Sequence, residues 1–253
     1  MKLLQKIKVR QDEKYKSLAV LLDPDKVEMG GIMQQVESYV KAGVDLFFVG
    51  GSLISGAGFY LLVEALKRQS NIPVVIFPGS NLHIHNEADA ILLLSLISGR
   101  NPELLIGQHV VAAPILKNSG LEILATGYML VEGGKSTTVS YISNTQPIPS
   151  DKEDIAVCTA MAGEMLGLQL MYLDGGSGAM QPVPAKMISA VRRNVQTPLV
   201  VGGGITSGAK AEQAWNAGAD IVVIGNGLEN RPGLLEEILE SRNRLNPQTE
   251  MAV

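Results

Sequence analysis

Short, uninterrupted apolar runs recur along the chain, separated by segments in which apolar and polar positions alternate with a longer period. The runs are SLAVLL at 17–22, VDLFFVG at 44–50, PVVIF at 73–77, DAILLLSL at 89–96, LEILATGYMLV at 121–131, LQLMYLD at 168–174, PLVVG at 198–202 and DIVVIG at 220–225. Most are continuous rather than alternating, the pattern of parallel strands covered on both faces. Helical spacing fills most of the gaps. GGIMQQVESYVKAG sets Ile32, Val36, Tyr39 and Val40 on one side and stops at Gly43. FYLLVEALKRQS repeats that pattern, and PELLIGQHVVAAPILKNSG opens on Pro102 and closes at Gly120. PAKMISAVRRN and AKAEQAWNAG take the same role later. Eight strand–helix alternations in 253 residues, with no linker, predict one α/β domain spanning residues 1–253, a (β/α)₈ TIM barrel. A doubly wound sheet, the alternative, would show fewer strands.

Two segments break the rhythm. PGSNLHIHNEAD, residues 78–89, is too short and polar for a full helix, so the third crossover helix is expected to be reduced to a loop. EGGKSTTVSYISNTQPIPSDKED, residues 132–154, is rich in Gly, Ser and Thr and predicts an extra strand around 138–142, followed by a helix over 155–166. An insertion of this length past a barrel strand is placed to lie over the site as a lid or to pack in a subunit interface.

Composition removes several classes of function. The 21 basic and 25 acidic residues give a net charge of −4 with no basic tail, which argues against a nucleic-acid partner. A single cysteine, Cys158, excludes an internal disulfide framework and reads as a buried, reduced thiol. The opening MKLLQKIKVRQDEKYK reaches charge at once, unlike a signal peptide, and the longest apolar run, AILLLSLI at 90–97, is too short to span a bilayer. The expectation is a cytoplasmic protein, with peripheral contact to a membrane surface left open.

Chemistry in such a barrel gathers past the C-terminal ends of the strands. The first run ends in LLDPDK, where Asp23 and Asp25 suit Mg²⁺, a hard cation held by few carboxylates and by substrate phosphates; an Asx-type turn explains the same residues. The second ends in VGGS, where Ser52 offers a hydroxyl to that metal or caps the next helix. The sixth ends in YLDGGSG. Asp174 is a carboxylate at a strand end, Gly175, Gly176 and Gly178 open the backbone, and Ser177 adds a donor. The last two runs end in GGGI and GNG. Backbone N–H groups past these strands recurrently cradle phosphate, and three glycine-rich ends in succession exceed what tight turns alone require. His83, His85 and His109, without cysteine or an evident carboxylate partner, make a poor zinc set and read as two loop residues and a structural helix residue. Trp215 reads as packing against the barrel.

In order along nearly the whole chain, LLDPDK at 21–26, FVGGS at 48–52, VVIFPGS at 74–80, GYMLVEGG at 127–134, QPIPSDKEDIA at 146–156, YLDGGSGA at 172–179, TPLVVGGGI at 197–205 and GADIVVIGNG at 218–227 resemble the geranylgeranylglyceryl phosphate synthases and their bacterial relatives of the PcrB type. A generic phosphate-binding barrel would share only the last two. LLDPDK, with leucine where some relatives carry lysine, is similar to the larger-subunit group II. The resemblance implies a prenyltransferase that condenses geranylgeranyl diphosphate with sn-glycerol 1-phosphate, forming 3-O-geranylgeranyl-sn-glyceryl 1-phosphate and diphosphate. It implies Mg²⁺ on Asp23 and Ser52, catalysis by Asp174 and Tyr172, and glycerol 1-phosphate bound by Tyr172, Leu173, Asp174, Gly175, Gly176, Ser177, Gly178, Gly203, Gly204, Gly225 and Asn226. It also implies a homo-oligomer, in this group commonly a hexamer. The chain departs from the family pattern at Asp174, where glutamate is usual, at Asn226, where close relatives often have threonine, and at Glu153, where proline is frequent. A prenyl tail needs an apolar trough, expected where the third helix is missing, near Phe59, Tyr60 and the segment after Phe77. Two other readings stay open at this level: a sugar-phosphate isomerase or aldolase, against which LLDPDK and the lack of a mid-strand Schiff-base lysine argue, and a non-catalytic phosphate- or isoprenoid-binding barrel.

Overall fold

Eight strands hydrogen-bond in sequence order into a closed barrel, every neighbouring pair parallel and β1 paired with β8. The computed structural model describes residues 1–54, 56, 58–225, 227–231 and 233–247, without the side chains of 229 and 230. The strands are β1 (Ser17–Leu22), β2 (Leu46–Gly50), β3 (Val74–Phe77), β4 (Ala90–Leu96), β5 (Glu122–Leu130), β6 (Leu170–Asp174), β7 (Leu199–Gly202) and β8 (Ile221–Ile224). Each falls on one of the apolar runs. Their side chains divide by alternation. Ala19, Phe48, Val75, Leu92, Leu124, Tyr172, Val200 and Val223 fill the interior of the barrel. Their neighbours Leu18, Val49, Ile76, Met129, Leu173, Val201 and Val222 face outward into the layer shared with the helices. A strand buried on both sides therefore has no polar face to show, which is why the runs are continuous.

The helices are α1 (Leu3–Asp12), α2 (Ile32–Ala42), α3 (Gly58–Gln69), α4 (Gln108–Ser119), α5 (Thr138–Ser143), α6 (Glu153–Met165), α7 (Ala185–Arg192), α8 (Gly208–Asn216), α9 (Gly227–Asn230) and α10 (Leu234–Leu245). No helix separates β3 from β4, as the short polar segment predicts. Trp215 on α8 is 1% exposed and donates its indole N–H to Ser17 O at 3.3 Å, the packing role its sequence context suggests. The lysine-broken start is itself a helix. Leu3 and Ile7 recur one turn apart and enter the barrel interior from the N-terminal end, while the Glu122 carboxylate accepts the free Leu3 and Leu4 N–H groups at 2.6 and 3.0 Å.

Two expectations fail locally. Residues 138–142 form the helix α5 rather than a strand, because Thr137 and Ser140 build a reciprocal capping box that satisfies backbone donors at its start. That local hydrogen bonding outweighs the β preference of Thr138, Val139, Tyr141 and Ile142. Cys158 is exposed rather than buried, since it lies on the outer side of α6, whose inward positions are the small residues Ala156, Ala160 and Gly163.

Candidate active site

A cleft at the C-terminal end of the barrel collects the strand-end residues. Asp23, Ser52, Tyr172, Asp174, Gly176, Ser177, Gly178, Gly203, Gly204 and Gly225 line it together, with Lys26, Phe77, Thr138 and Gly227. Two other candidates do not reach it. Alternation along β6 sends Tyr172 and Asp174 inward, so the Leu173 side chain packs outward against the helices. Gly175 faces the pocket lined by the inserted segment after β5, and its N–H is already given to Gly202 O at 3.0 Å. Asn226 lies outside the described residues.

Asp174 is the centre of the cleft's polarity. It is 7% exposed; the Tyr128 hydroxyl donates to its Oδ2 at 2.6 Å and the Gly176 N–H to its Oδ1 at 2.7 Å. Burial raises the Asp174 pKa above the usual carboxylate value, and the hydrogen bonds from Tyr128 and Gly176 oppose that rise. Burial, then the adjoining Asp174 charge, pushes the Tyr128 and Tyr172 phenols well above their ordinary value, so both remain protonated donors. The Tyr172 hydroxyl has no hydrogen-bond partner among the described residues, while its ring packs against Phe77 and Tyr128 with centroids 5.7 and 5.4 Å away.

The first strand end forms the Asx-type turn. Asp25 N–H donates to Asp23 Oδ1 at 3.1 Å, an Asx-type turn that holds the carboxylate toward the cleft. Lys26 Nζ sits 2.9 Å from Asp23 Oδ2. Asp25 instead accepts from Gly56 N at 2.8 Å and braces the next loop. Ser52 is no helix cap, for α3 begins only at Gly58. One carboxylate and one hydroxyl on the wall of the cleft fit a Mg²⁺ ion that takes its remaining oxygens from substrate and water.

The glycines past β7 and β8 answer two different demands. Gly203 has φ +81°, and a Cβ there would lie 2.7 Å from Gly176 N and 2.8 Å from Asp174 Oδ1, so the loops after β6 and β7 approach backbone to backbone. Gly225 is different: a Cβ there meets only ordinary contacts at 3.6 Å or more, leaving room beside the cleft.

Beside the cleft runs an apolar trough in the place of the missing helix, lined by Ile91, Leu93, Leu96, Leu104, Ala112 and Leu116 among others. Ser52 and Phe77 belong to both cleft and trough. Phe59 and Tyr60 take no part, contrary to the sequence expectation. Phe59 is 2% exposed within the core, and Tyr60 points outward, its hydroxyl on Leu82 O. The segment after Phe77 does line it, through Pro78, Gly79, Ser80, Asn81 and Ile84, and the trough continues between β4 and α4. A π-helical turn at Glu103–Gly107 opens α4 there; Asn101 accepts from Glu103 N and donates to Ser143 O at 2.8 Å, tying that turn to the end of α5. His109 on α4 places Nε2 2.9 Å from Leu94 O, while His83 and His85 pack at a tilt against Phe59 and Tyr60.

The residue that sequence reasoning missed is Tyr128. It sat unmarked inside GYMLV, and only the inward alternation of Leu124, Tyr128 and Leu130 distinguished it as facing the barrel interior.

This geometry has close counterparts. A protein of Spirosoma linguale called geranylgeranylglyceryl phosphate synthase is 60% identical over 223 residues, covering 88% of this chain and 90% of that one. One of the same description from Thermococcus kodakarensis is 42% identical over 237 residues, 92% of each chain. The crystal structure of (S)-3-O-geranylgeranylglyceryl phosphate synthase from Thermoplasma acidophilum, in complex with its substrate sn-glycerol-1-phosphate, superposes with a TM-score of 0.90 at 30% identity, covering 96% of this chain and 99% of that one. With a cleft and trough meeting at Ser52 and Phe77, and with residues 9–242 matching the PcrB family model, the chain belongs to the PcrB family.

Proposed function

We propose that this protein joins a prenyl diphosphate, geranylgeranyl diphosphate by the family resemblance, to sn-glycerol 1-phosphate through an ether bond. The observation that carries the proposal is the shared wall: a polar, glycine-lined cleft and an apolar trough lie side by side with Ser52 and Phe77 lining both. An allylic diphosphate has this two-part chemistry, with its charged head and its reacting carbon at the junction.

Gly203, Gly204, Gly225 and Ser177 present the backbone and hydroxyl groups suited to the glycerol phosphate. That anchoring fixes the distance between the C3 hydroxyl and the donor's C1. The C3 oxygen bonds to C1 as the bond from C1 to the diphosphate oxygen breaks, and the hydroxyl proton passes to Asp174. A carboxylate whose proton affinity burial has raised is the better acceptor near neutral pH. Tyr128 holds Asp174 in place, and Tyr172 offers its free hydroxyl proton to the glycerol. Asp23 and Ser52 would hold Mg²⁺, which would supply positive charge to stabilise the departing diphosphate. Asp174 has one methylene fewer than glutamate, and the 2.6 Å bond from Tyr128 supports its working at that shorter reach.

Among the described residues no helix is long and apolar enough to cross a membrane. Exposed apolar side chains on α4 (Val110, Val111, Ile115) and on α5 (Tyr141, Ile142) support assembly into a homo-oligomer.

Purified protein with Mg²⁺, sn-glycerol 1-phosphate and labelled prenyl diphosphates of increasing length is expected to yield an ether lipid, most efficiently from the twenty-carbon donor. Binding of both substrates without product from any donor would overturn the assignment.

A further inference from the structure

The segment between β5 and α5 is not a loose flap. Gly133 O accepts from both Met180 N and Gln181 N, at 2.8 and 3.1 Å. Thr137 packs so closely on the β6 loop that a Cβ at Gly176 would lie 2.7 Å from its Oγ1. These contacts bolt residues 133–137 onto the loop that carries Asp174, Ser177 and Gly178. Between the bolts stands Lys135. Its ammonium is 3.6 Å from where a Cβ of Gly178 would be; Gly178 lines the cleft, and Lys135 lines the pocket next to it.

The charge balance there calls for a cation. A phosphomonoester carries about −1.5 to −2 charges at neutral pH. The cleft also contains the carboxylate of Asp174, while that of Asp23 is balanced by Lys26, and backbone N–H groups contribute only partial charge. Of the other nearby cations, two are in ion pairs and the third is bonded to neutral oxygens of the loop after β7. Lys26 pairs with Asp23 at 2.9 Å, Lys210 is held on Thr206 Oγ1 at 3.0 Å and Gly204 O at 3.4 Å, and Arg231 pairs with Glu237 at 2.7 Å. Lys135 forms no ion pair among the described residues, and its flexible stem reaches over the β6 loop rather than toward the trough.

Building on the reaction proposed above, we infer that Lys135 is a substrate-binding residue: its ammonium closes over the glycerol phosphate and selects the phosphorylated acceptor, without contacting the donor's diphosphate. A charge-assisted contact at an exposed rim is worth a factor of about 10 in affinity, and salt weakens it.

The test compares the full-length wild type with K135M and K135R. Calorimetric titration gives the Kd for sn-glycerol 1-phosphate, and steady-state kinetics gives KM and kcat for both substrates. The expected result for K135M is an about tenfold weaker Kd and higher KM for sn-glycerol 1-phosphate, with kcat and the donor KM unchanged and K135R close to wild type. An unchanged Kd in K135M overturns the inference, as does a rise confined to the donor KM, which would put the ammonium on the diphosphate. A wild type that binds sn-glycerol 1-phosphate but forms no ether removes the proposed reaction and leaves Lys135 to be judged by its Kd alone. A wild type that does not bind it overturns both.

Discussion

Replacing Tyr128 with phenylalanine removes one oxygen from the interior and leaves the ring in its contacts with Phe77 and Tyr172, whose centroids lie 6.0 and 5.4 Å away. The lost atom is the donor at 2.6 Å to Asp174 Oδ2, and of the two hydrogen bonds to this carboxylate only that from Gly176 N–H survives. A hydrogen bond to a charged acceptor contributes about 1.5–3 kcal/mol and one to a neutral acceptor about 0.5–1.5 kcal/mol. The substitution therefore penalises charged Asp174 more than protonated Asp174. Burial already raises the Asp174 pKa in the folded chain, so folded protein binds this proton more tightly than unfolded protein, and stability falls as pH rises through the window between the two values. Y128F moves the folded value further up and widens that window. The destabilisation should be about 1.5–3 kcal/mol at pH 8 and smaller near pH 4. The acid limb of kcat/KM against pH should move to higher pH, since catalysis requires the ionised base. Urea unfolding at the two pH values, together with the pH profile of kcat/KM, reads both effects. Equal destabilisation at both pH values, or an acid limb that stays in place or moves down, would refute the role assigned to this hydrogen bond.

Asp23→Asn should leave the fold intact and raise the Mg²⁺ concentration needed for half-maximal turnover by more than tenfold, checked by metal titration at saturating donor; unchanged Mg²⁺ demand would take Asp23 out of the metal site. Gly203→Ala forces a φ of +81° on a residue with a side chain and drives its Cβ into Gly176 N and Asp174 Oδ1. Strain and overpacking together should cost about 2–5 kcal/mol in denaturant titration, with loss of turnover in the fraction that folds. Ala112→Phe adds bulk to the smallest apolar side chain named on the trough wall and should shift the preferred donor to a shorter prenyl chain; an unaltered product distribution would place the tail elsewhere.

How much of this was legible beforehand follows from the range of the forces involved. The barrel strands were readable because burial on both faces demands continuous apolar runs, and the missing third helix because a short polar segment has no apolar stripe to bury. Asp23, Ser52, Asp174 and the glycines were readable because strand ends in this architecture converge on one face. The helix at 138–143 was misread because Thr137 and Ser140 cap it through hydrogen bonds that β-branched composition conceals. The outward turn of Leu173 was hidden by treating YLDGGSG as a unit, although alternation along β6 separates Leu173 from its neighbours.

What the sequence by itself determined is the order of elements and the kinds of groups at their ends, since periodicity and turn chemistry act over a few residues. What only the tertiary structure decided is which groups meet. Tyr128 and Asp174 are 46 residues apart, yet their 2.6 Å bond follows from β5 and β6 lying side by side in register, Tyr128 opposite Tyr172. The trough's path past α4 instead of Phe59, and the reach of Lys135 over Gly178, likewise depend on how loops pack across the barrel mouth. Those contacts are set by close packing between segments distant in the chain, and no local pattern encodes them.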